Sequence, residues 1–174
     1  MNIRESLNSD LESIRNLHLE AFGEEENEEV SKLALDLASD SDSSSILSLV
    51  AVEEGAVIGH VVFSPISISN NDNLSGFILA PLAVSPSEQK QGVGSKLIQF
   101  GFDTLAKNDV DAVFVLGDPN YYSRSGFHTD HDVNPPYSLP YPEAWQAKEL
   151  KVGALQGVSG TVECVSVLMP PELW

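Results

Sequence analysis

The feature that most restricts the fold is a strand–turn–helix–strand pattern over residues 74–117. Residues 74–84 are apolar enough for a strand, and residues 92–106 carry apolar or small side chains at four-residue spacing, which predicts a helix. Residues 112–116 form an unbroken apolar run. Such a run is typical of a strand that is buried on both faces and linked to a parallel partner by a covering helix. We therefore expect a parallel strand pair within the fold.

The flanking segments add further predicted elements. Asp10 is the predicted N-cap of the first helix, and Pro81 predicts a bulge or a departure from the sheet because it cannot donate a ladder hydrogen bond. Short turns between neighbouring strands predict an antiparallel meander. The segment 145–150 is compatible with either helix or strand. The other predicted elements are strands at 2–7, 46–52, 56–69 and 157–169, helices at 10–22 and around 30–37, a polar linker at 39–45 and an ordered surface loop at 128–142.

Length, charge and cysteine content limit the class of protein. A chain of 174 residues fits a single domain, 1–174. The formal net charge of −17 disfavours nucleic acid as a partner, because phosphates need a basic surface. It favours either a cationic partner or simply solubility. The absence of a long apolar run argues against a membrane span, and a single cysteine together with a polar N-terminus predicts a cytoplasmic protein.

The corner of the strand–turn–helix pattern reads SPSEQKQGVGSKL, residues 85–97. The first turn of a helix leaves backbone N–H groups without partners and carries partial positive charge. Glycines remove the side chains that would block a ligand there. This combination predicts a binding site for phosphate or pyrophosphate, with Lys90 and Lys96 nearby. The alternative is a helix start that binds nothing.

Two common phosphate motifs do not fit this stretch. A dinucleotide-binding turn has the pattern Gly-x-Gly-x-x-Gly, but Leu97 stands at the third glycine position. A nucleotide-triphosphate loop ends in Gly-Lys-Ser/Thr, whereas this chain has Ser95 followed by Lys96, and Gln89 replaces its first glycine. The bound compound is therefore expected to be of another kind.

A third motif fits. The hexamer QKQGVG, residues 89–94, matches Gln/Arg-x-x-Gly-x-Gly/Ala between a strand and a helix, and resembles the coenzyme A pyrophosphate loop of the GNAT N-acetyltransferase superfamily. A second block, GDPNYYSRSGF at residues 117–127, resembles the Tyr-x-x-x-Gly-Phe segment of that family. Its Gly-Asp-Pro-x-Tyr-Tyr form resembles one bacterial subgroup of predicted acetyltransferases. The resemblance is sharp over residues 82–127, and one departure is Ser125, where the family often has an aromatic residue.

The resemblance implies an α/β (α+β) fold with a mixed, mostly antiparallel sheet of six or seven strands and about four helices, in which the central parallel strands splay apart. It also implies acetyl-CoA as cosubstrate and no metal. The pantetheine arm would lie between the splayed strands near Leu82 and Val84, and the amides of residues 89–95 would hold the pyrophosphate. The residues that this resemblance assigns to the coenzyme are Leu82, Ala83, Val84, Gln89, Lys90, Gln91, Gly92, Val93, Gly94, Ser95 and Asn120.

The resemblance also implies a mechanism, in which an amine attacks the thioester directly. A pre-aimed backbone N–H should stabilise the thioester oxygen as it gains negative charge. A phenol with a pKa near 10 is protonated at neutral pH and can protonate the leaving thiolate. Tyr122 matches the family's position for this acid, and the alternative is an aromatic side chain that only packs. Asn120 has the alternative role of a helix cap.

The acceptor is expected to be a small-molecule or peptide amine. Glutamates between positions 24 and 29 form either a surface that attracts such a cation or the ordinary acidic start of a helix. No general base is assigned. The oligomeric state is left open by the sequence, and the resemblance implies a homodimer as one possible assembly because dimers are common in that family. The competing function is a catalytically inactive module on the same fold that senses coenzyme A or binds protein.

The remaining chemically notable side chains receive structural assignments. His128 and His131 lack a third partner at metal-ligand spacing and are expected to be loop residues. His60 is expected to meet a neighbouring strand, and Cys164 to be a core residue of the last strand. Trp145 and Trp174 are either anchors of the core or walls of an acceptor pocket.

Overall fold

The structure is a computed structural model that describes residues 1–39 and 45–174. The predicted linker 39–45 therefore lies almost entirely outside the described residues. Within the described part the chain forms eight β-strands and four α-helices, with short 3-10 turns between them. In chain order the elements are β1 (Asn2–Glu5), α1 (Leu11–Ala21), α2 (Asn27–Ala38), β2 (Leu47–Glu53), β3 (Ala56–Ile68), β4 (Gly76–Val84), α3 (Val93–Lys107), β5 (Ala112–Leu116), α4 (Pro119–Tyr122), β6 (Asp132–Asn134), β7 (Trp145–Glu149) and β8 (Ser159–Cys164).

The strands form a mixed sheet in the order β1-β2-β3-β4-β5-β7, and β8 pairs with β3 and β6. The β1–β2, β2–β3, β3–β8 and β5–β7 pairs are antiparallel, whereas β4–β5 and β6–β8 are parallel. The mixed, mostly antiparallel α/β fold is therefore confirmed. The described residues contain eight strands instead of six or seven, because the predicted surface loop 128–142 includes the three-residue strand β6.

The chain divides into two compact units, Met1–Phe63 with Ala80–Gly101, and Ser64–Leu79 with Phe102–Trp174. The single-domain assignment stays a prediction. Among the helices of the described residues, none is both long and apolar enough to cross a membrane.

The first unit packs α1 and α2 against an antiparallel β1–β2–β3 sheet. The helix pair is tied by the hydroxyl of Ser31, which donates to the carbonyl of Arg15 at 3.4 Å. A fully buried cluster of Ile14, Ala34 and Val50 joins the two helices to β2. Each of these side chains comes from a different element, so burial of apolar area fixes how the helices lie on the sheet.

The second unit contains the predicted parallel pair. Residues Gly76–Leu79 of β4 pair in parallel with Ala112–Val115 of β5, as the strand–helix–strand pattern predicts. Segment 145–150 is a strand rather than a helix, since β7 pairs antiparallel with β5. The ring of Trp145 stacks on Phe114 at 5.3 Å, with 17° between the ring planes. Trp145 is therefore a core anchor of this unit.

Asp10 is the N-cap residue of α1, as predicted, but its carboxylate makes no hydrogen bond to that helix. It accepts the N–H of Leu7 at 2.7 Å and both terminal nitrogens of Arg4 at 2.7 and 3.0 Å. A bidentate arginine partner on β1 is a stronger competitor for the carboxylate than a helical N–H group.

Candidate functional site

The loop between β4 and α3, residues 85–92, lies in the first unit and is stabilised by hydrogen bonds from its own glutamine side chains. Strand β4 ends at Val84, and the N–H of Ser85 donates to the carbonyl of Ile58 on β3 at 2.8 Å. The side-chain amide of Gln89 donates to the carbonyl of Val84 at 3.1 Å, and that of Gln91 to the carbonyl of Ser87 at 3.1 Å. The two glutamine side chains thus satisfy loop carbonyls and stabilise the turn that precedes α3.

The backbone of this loop is left-handed at two positions. The φ angle is +62° at Lys90 and +85° at Gly92. An added Cβ at Gly92 would meet nothing within 4 Å, so backbone conformation rather than crowding selects glycine there. A non-glycine residue with positive φ is uncommon and occurs preferentially at functional sites. Backbone of this kind directs successive N–H groups into anion-binding concavities.

Helix α3 begins with N–H groups that have no hydrogen-bond partner among the described residues. The N–H of Lys96 donates to the carbonyl of Gly92 at 3.0 Å, which closes the first helical turn. The N–H groups of Val93, Gly94 and Ser95 precede this bond and have no helical acceptor. Residues 89–92, together with Ser95 and Lys96, are exposed, whereas Val93 and Gly94 are buried. The loop therefore offers free amides at the positive end of a helix, next to two lysines, which is suited to an anion.

The strand that leads into the loop contributes Leu82, Ala83 and Val84, which are the last residues of β4. Ala83 is buried, and its two neighbours are partly exposed. This alternation follows from the period of two along a strand.

The second predicted block belongs to the other unit. Asp118 is the N-cap of α4, and its carboxylate accepts the N–H of Asn120 at 2.9 Å. Pro119 follows at the first helical position, where its missing N–H costs nothing. The alternative role of Asn120 as the helix cap is therefore wrong, because Asp118 is the cap. The side chain of Asn120 is exposed.

Tyr122 ends α4 with its ring packed inside the block. Its ring lies edge-to-face with Phe127 at 5.7 Å and with Tyr121 at 5.0 Å. Burial, with a smaller effect of Tyr121, raises the pKa of the Tyr122 phenol above its ordinary value. Within residues 1–39 and 45–174, its hydroxyl makes no hydrogen bond. The ring is held by packing, and burial keeps the phenol protonated at neutral pH.

Two residues support Tyr122 in ways that the sequence did not indicate. Gly117 contacts the Tyr122 ring so closely that an added Cβ would overlap Cε2 and lie 3.0 Å from Cδ2. Gln146 on β7, which is 1% exposed, donates from its side-chain amide to the carbonyl of Gly117 at 3.1 Å. The sequence Gly-Asp-Pro signals a turn before a helix, but a glutamine within a short strand carries no signal of a distant partner.

Other side chains largely have the predicted structural roles. His60 bonds Ser48 of the adjacent strand β2 at 2.8 Å, as predicted, and Cys164 is buried in β8. Trp174 lies edge-to-face with Trp145 at 5.6 Å. His131 and Trp145 also line a cavity of about 690 Å³ in the second unit. In the part of the chain that the structure describes, no three His, Cys, Asp or Glu side chains cluster as metal ligands. The glutamates between positions 24 and 29 are exposed around the start of α2.

Comparison with known proteins identifies the family. The model of the acetyltransferase (GNAT) family matches residues 11–127. The uncharacterized N-acetyltransferase YjhQ of Escherichia coli K12 is 33% identical over 162 residues, which is 90% of this chain and 87% of that protein. The uncharacterized N-acetyltransferase YhbS of the same organism is 40% identical over 142 residues, which is 79% of this chain and 82% of that protein.

Similar solved structures belong to the same family. The crystal structure of E. coli YhbS in complex with CoA superposes with a TM-score of 0.86 at 35% identity, covering 96% of this chain and 91% of that one. A GNAT acetyltransferase from Brucella melitensis in complex with acetyl-CoA gives a TM-score of 0.73 at 26% identity, covering 96% and 97%. The predicted enzyme class is confirmed, and the chain belongs to the acetyltransferase (GNAT) family of N-acetyltransferases.

Proposed function

We propose that this protein transfers an acetyl group from acetyl-CoA to a primary amine by direct attack within a ternary complex. The observation that carries the proposal is the row of unpaired amides at the start of α3, reached through a left-handed turn at Lys90 and Gly92. The similar structures that were crystallised with CoA or acetyl-CoA support acetyl-CoA as the cosubstrate. The Gly-Asp-Pro-x-Tyr-Tyr block at residues 117–122 further suggests the bacterial subgroup that carries it.

The loop residues are proposed to bind the coenzyme. The N–H groups of residues 89–95 donate to the pyrophosphate oxygens, and Lys90 and Lys96 add positive charge beside them. The helix dipole alone contributes about 0.3–1 kcal/mol at an exposed end, so several N–H bonds are needed for useful affinity. Backbone groups of Leu82 and Val84 bind the pantetheine end, with Ala83 between them, and Asn120 contacts the same arm.

Tyr122 is proposed as the general acid. The amine nitrogen forms a bond to the thioester carbonyl carbon, and the carbon–sulfur bond then breaks. The Tyr122 hydroxyl donates its proton to the departing thiolate, and water returns a proton to the phenolate. A lysine-like amine is neutral in only about one molecule in a few thousand at pH 7, so its proton must pass to water or to a carboxylate. No residue is assigned to that step.

A panel assay tests the activity. Purified protein and acetyl-CoA are incubated with spermidine, a lysine-containing peptide or kanamycin, and release of free coenzyme thiol is followed. Amine-dependent thiol release supports the transferase. Thermal stabilisation by acetyl-CoA without thiol release from any amine supports the competing coenzyme-sensing module.

The oligomeric state of the protein is tested separately from its activity. The homodimer implied by the family resemblance is tested by size-exclusion chromatography with light scattering. A mass close to twice 18.8 kDa supports it, and a mass close to 18.8 kDa contradicts it.

A further inference from the structure

Gln146 is a buried polar side chain with two carbonyl partners. It lies on β7 and is 1% exposed. Its amide nitrogen donates to the carbonyl of Gly117 at 3.1 Å and to the carbonyl of Ala144 at 3.3 Å. Burying an amide is unfavourable unless its hydrogen bonds are satisfied, and here both N–H groups of the amide have acceptors.

Gly117 is held at both of its polar backbone groups. Its N–H donates to the carbonyl of Ala144 at 2.9 Å, and its carbonyl accepts from Gln146. The β5–β7 ladder ends where Leu116 pairs with Trp145, so Gly117 is the first residue beyond the ladder. The backbone bond between Gly117 and Ala144 thus continues the pairing by one residue, and the side chain of Gln146 adds a second bond at the point where the chain turns into α4.

Gly117 is also in close contact with the Tyr122 ring. An added Cβ at Gly117 would overlap Cε2 of Tyr122 and lie 3.5 Å from Cζ, the carbon that carries the hydroxyl. Phe127 packs edge-to-face against the same ring. The cap at Asp118 begins α4 directly after Gly117, so the position of this glycine sets both the start of the helix and one wall of the ring's site.

We propose that Gln146 is a positioning residue for Tyr122, acting through Gly117 to fix the place of the phenol hydroxyl. This inference rests on the proposed role of Tyr122 as the general acid. The hydroxyl has no hydrogen bond of its own among the described residues, so only packing determines where its proton is presented. Proton transfer needs a heavy-atom distance of about 2.6–3.2 Å, and a misplacement of about 1 Å can cost about 100-fold in rate.

The first test needs no acceptor amine. The chain has four tyrosines, so ¹³C-tyrosine labelling gives a small set of NMR signals, and Tyr122→Phe identifies those of Tyr122. Gln146→Met keeps the length of the side chain but removes both N–H donors. We expect it to shift the Tyr122 ring signals and to leave those of Tyr141 in place. Unchanged Tyr122 signals in Gln146→Met overturn the proposal.

Tyr137→Phe is the matched control. Tyr137 lies in the same unit, and its hydroxyl donates to the carbonyl of Met169 at 2.6 Å. Its replacement therefore also deletes a side-chain-to-backbone hydrogen bond, but one without contact to Gly117. If Gln146→Met lowers the yield of folded protein, Gln146→Asn serves as the second variant, since it keeps an amide but is too short for the same bond to Gly117.

The second test is a double-mutant cycle with acetyl-CoA and the amine that gives the fastest thiol release. We expect Gln146→Met to lower kcat about 10- to 100-fold, with KM for acetyl-CoA changed less than about threefold. In the Tyr122→Phe background the same change should have almost no further effect. An equal loss in both backgrounds overturns the positioning role. If Tyr122→Phe alone keeps wild-type kcat, the proposed acid is wrong, whereas the NMR result still decides whether Gln146 positions the ring.

Discussion

The Nε2 atom of His18 lies 2.9 Å from the Nδ1 atom of His60, and both imidazole rings are fully buried. His18 belongs to α1 and His60 to β3, so their hydrogen bond joins the helix layer to the sheet of the first unit. Ser48 on β2 bonds the other nitrogen of His60 at 2.8 Å, and the hydroxyl of Ser6 donates to Ser48 at 2.7 Å. A buried polar chain of this length is stabilising only while its members stay uncharged.

Acid should therefore destabilise the fold well above the pKa of the carboxylates. Burial lowers the pKa of His18 to about 4, and burial together with the nearby His18 lowers that of His60 to about 3. Unfolded histidine titrates near pH 6.5, so the unfolded chain binds more protons between about pH 6.5 and pH 4. The free energy of unfolding should fall as the pH drops through this window, by at most about 1.4 kcal/mol per pH unit for each histidine.

Urea unfolding at a series of pH values from 7.5 to 4.5 measures this dependence. His60→Gln removes one of the two groups, so its stability should be lower at neutral pH but should depend less on pH. A slope equal to that of the wild type would show that His60 does not contribute to the acid sensitivity.

Gly101→Ala should destabilise the first unit. A Cβ at this position in α3 would overlap Cε2 and Cζ of Phe63, a fully buried side chain on β3. Overpacking of a core costs about 1–3 kcal/mol, which denaturant unfolding resolves. Gly23→Ala is the matched control, because its Cβ would meet nothing within 4 Å and should leave stability unchanged or slightly higher. Equal stabilities of the two variants would contradict this packing.

Gly94→Glu should abolish binding of acetyl-CoA. The new carboxylate would lie at the unpaired amides of the first turn of α3 and would occupy them itself, besides repelling the pyrophosphate. Titration calorimetry should detect no binding. Asn108→Glu makes the same change of charge just after the C-terminal end of α3, at an exposed position, and should keep the wild-type affinity. Unaltered affinity in Gly94→Glu would place the coenzyme elsewhere.

Tyr122→Phe should lower kcat by about 10²- to 10⁴-fold while Kd for acetyl-CoA stays close to that of the wild type. Because burial raises the pKa of the phenol, Tyr122 stays protonated at least to about pH 10. The wild-type kcat should therefore show no alkaline decline from Tyr122 below that pH. Steady-state kinetics across pH 6 to 10 measure both effects, and wild-type turnover in the variant would remove Tyr122 from the mechanism.

Local patterns predicted most elements of the fold. Four-residue spacing located α3, and the apolar run 112–116 located β5 and its parallel pairing with β4. The segment 145–150 was compatible with helix or strand because six residues are too few to distinguish the two periods. Strand β6 was missed because its pairing partner β8 lies more than twenty residues further along the chain, and its own sequence is too short to show a period.

The sequence by itself determined the local structure of residues 89–94 and 117–127, because neighbouring residues set a strand end, a left-handed glycine and a helix start. Tertiary structure alone decided which distant side chains support them. Gln146 lies 29 positions from Gly117, and His60 lies 42 positions from His18. A buried polar group needs a hydrogen-bond partner, and the packing of strands and helices determines which distant group is near enough to be that partner. That choice depends on the packed core, because no local pattern records which distant atom lies within hydrogen-bond distance.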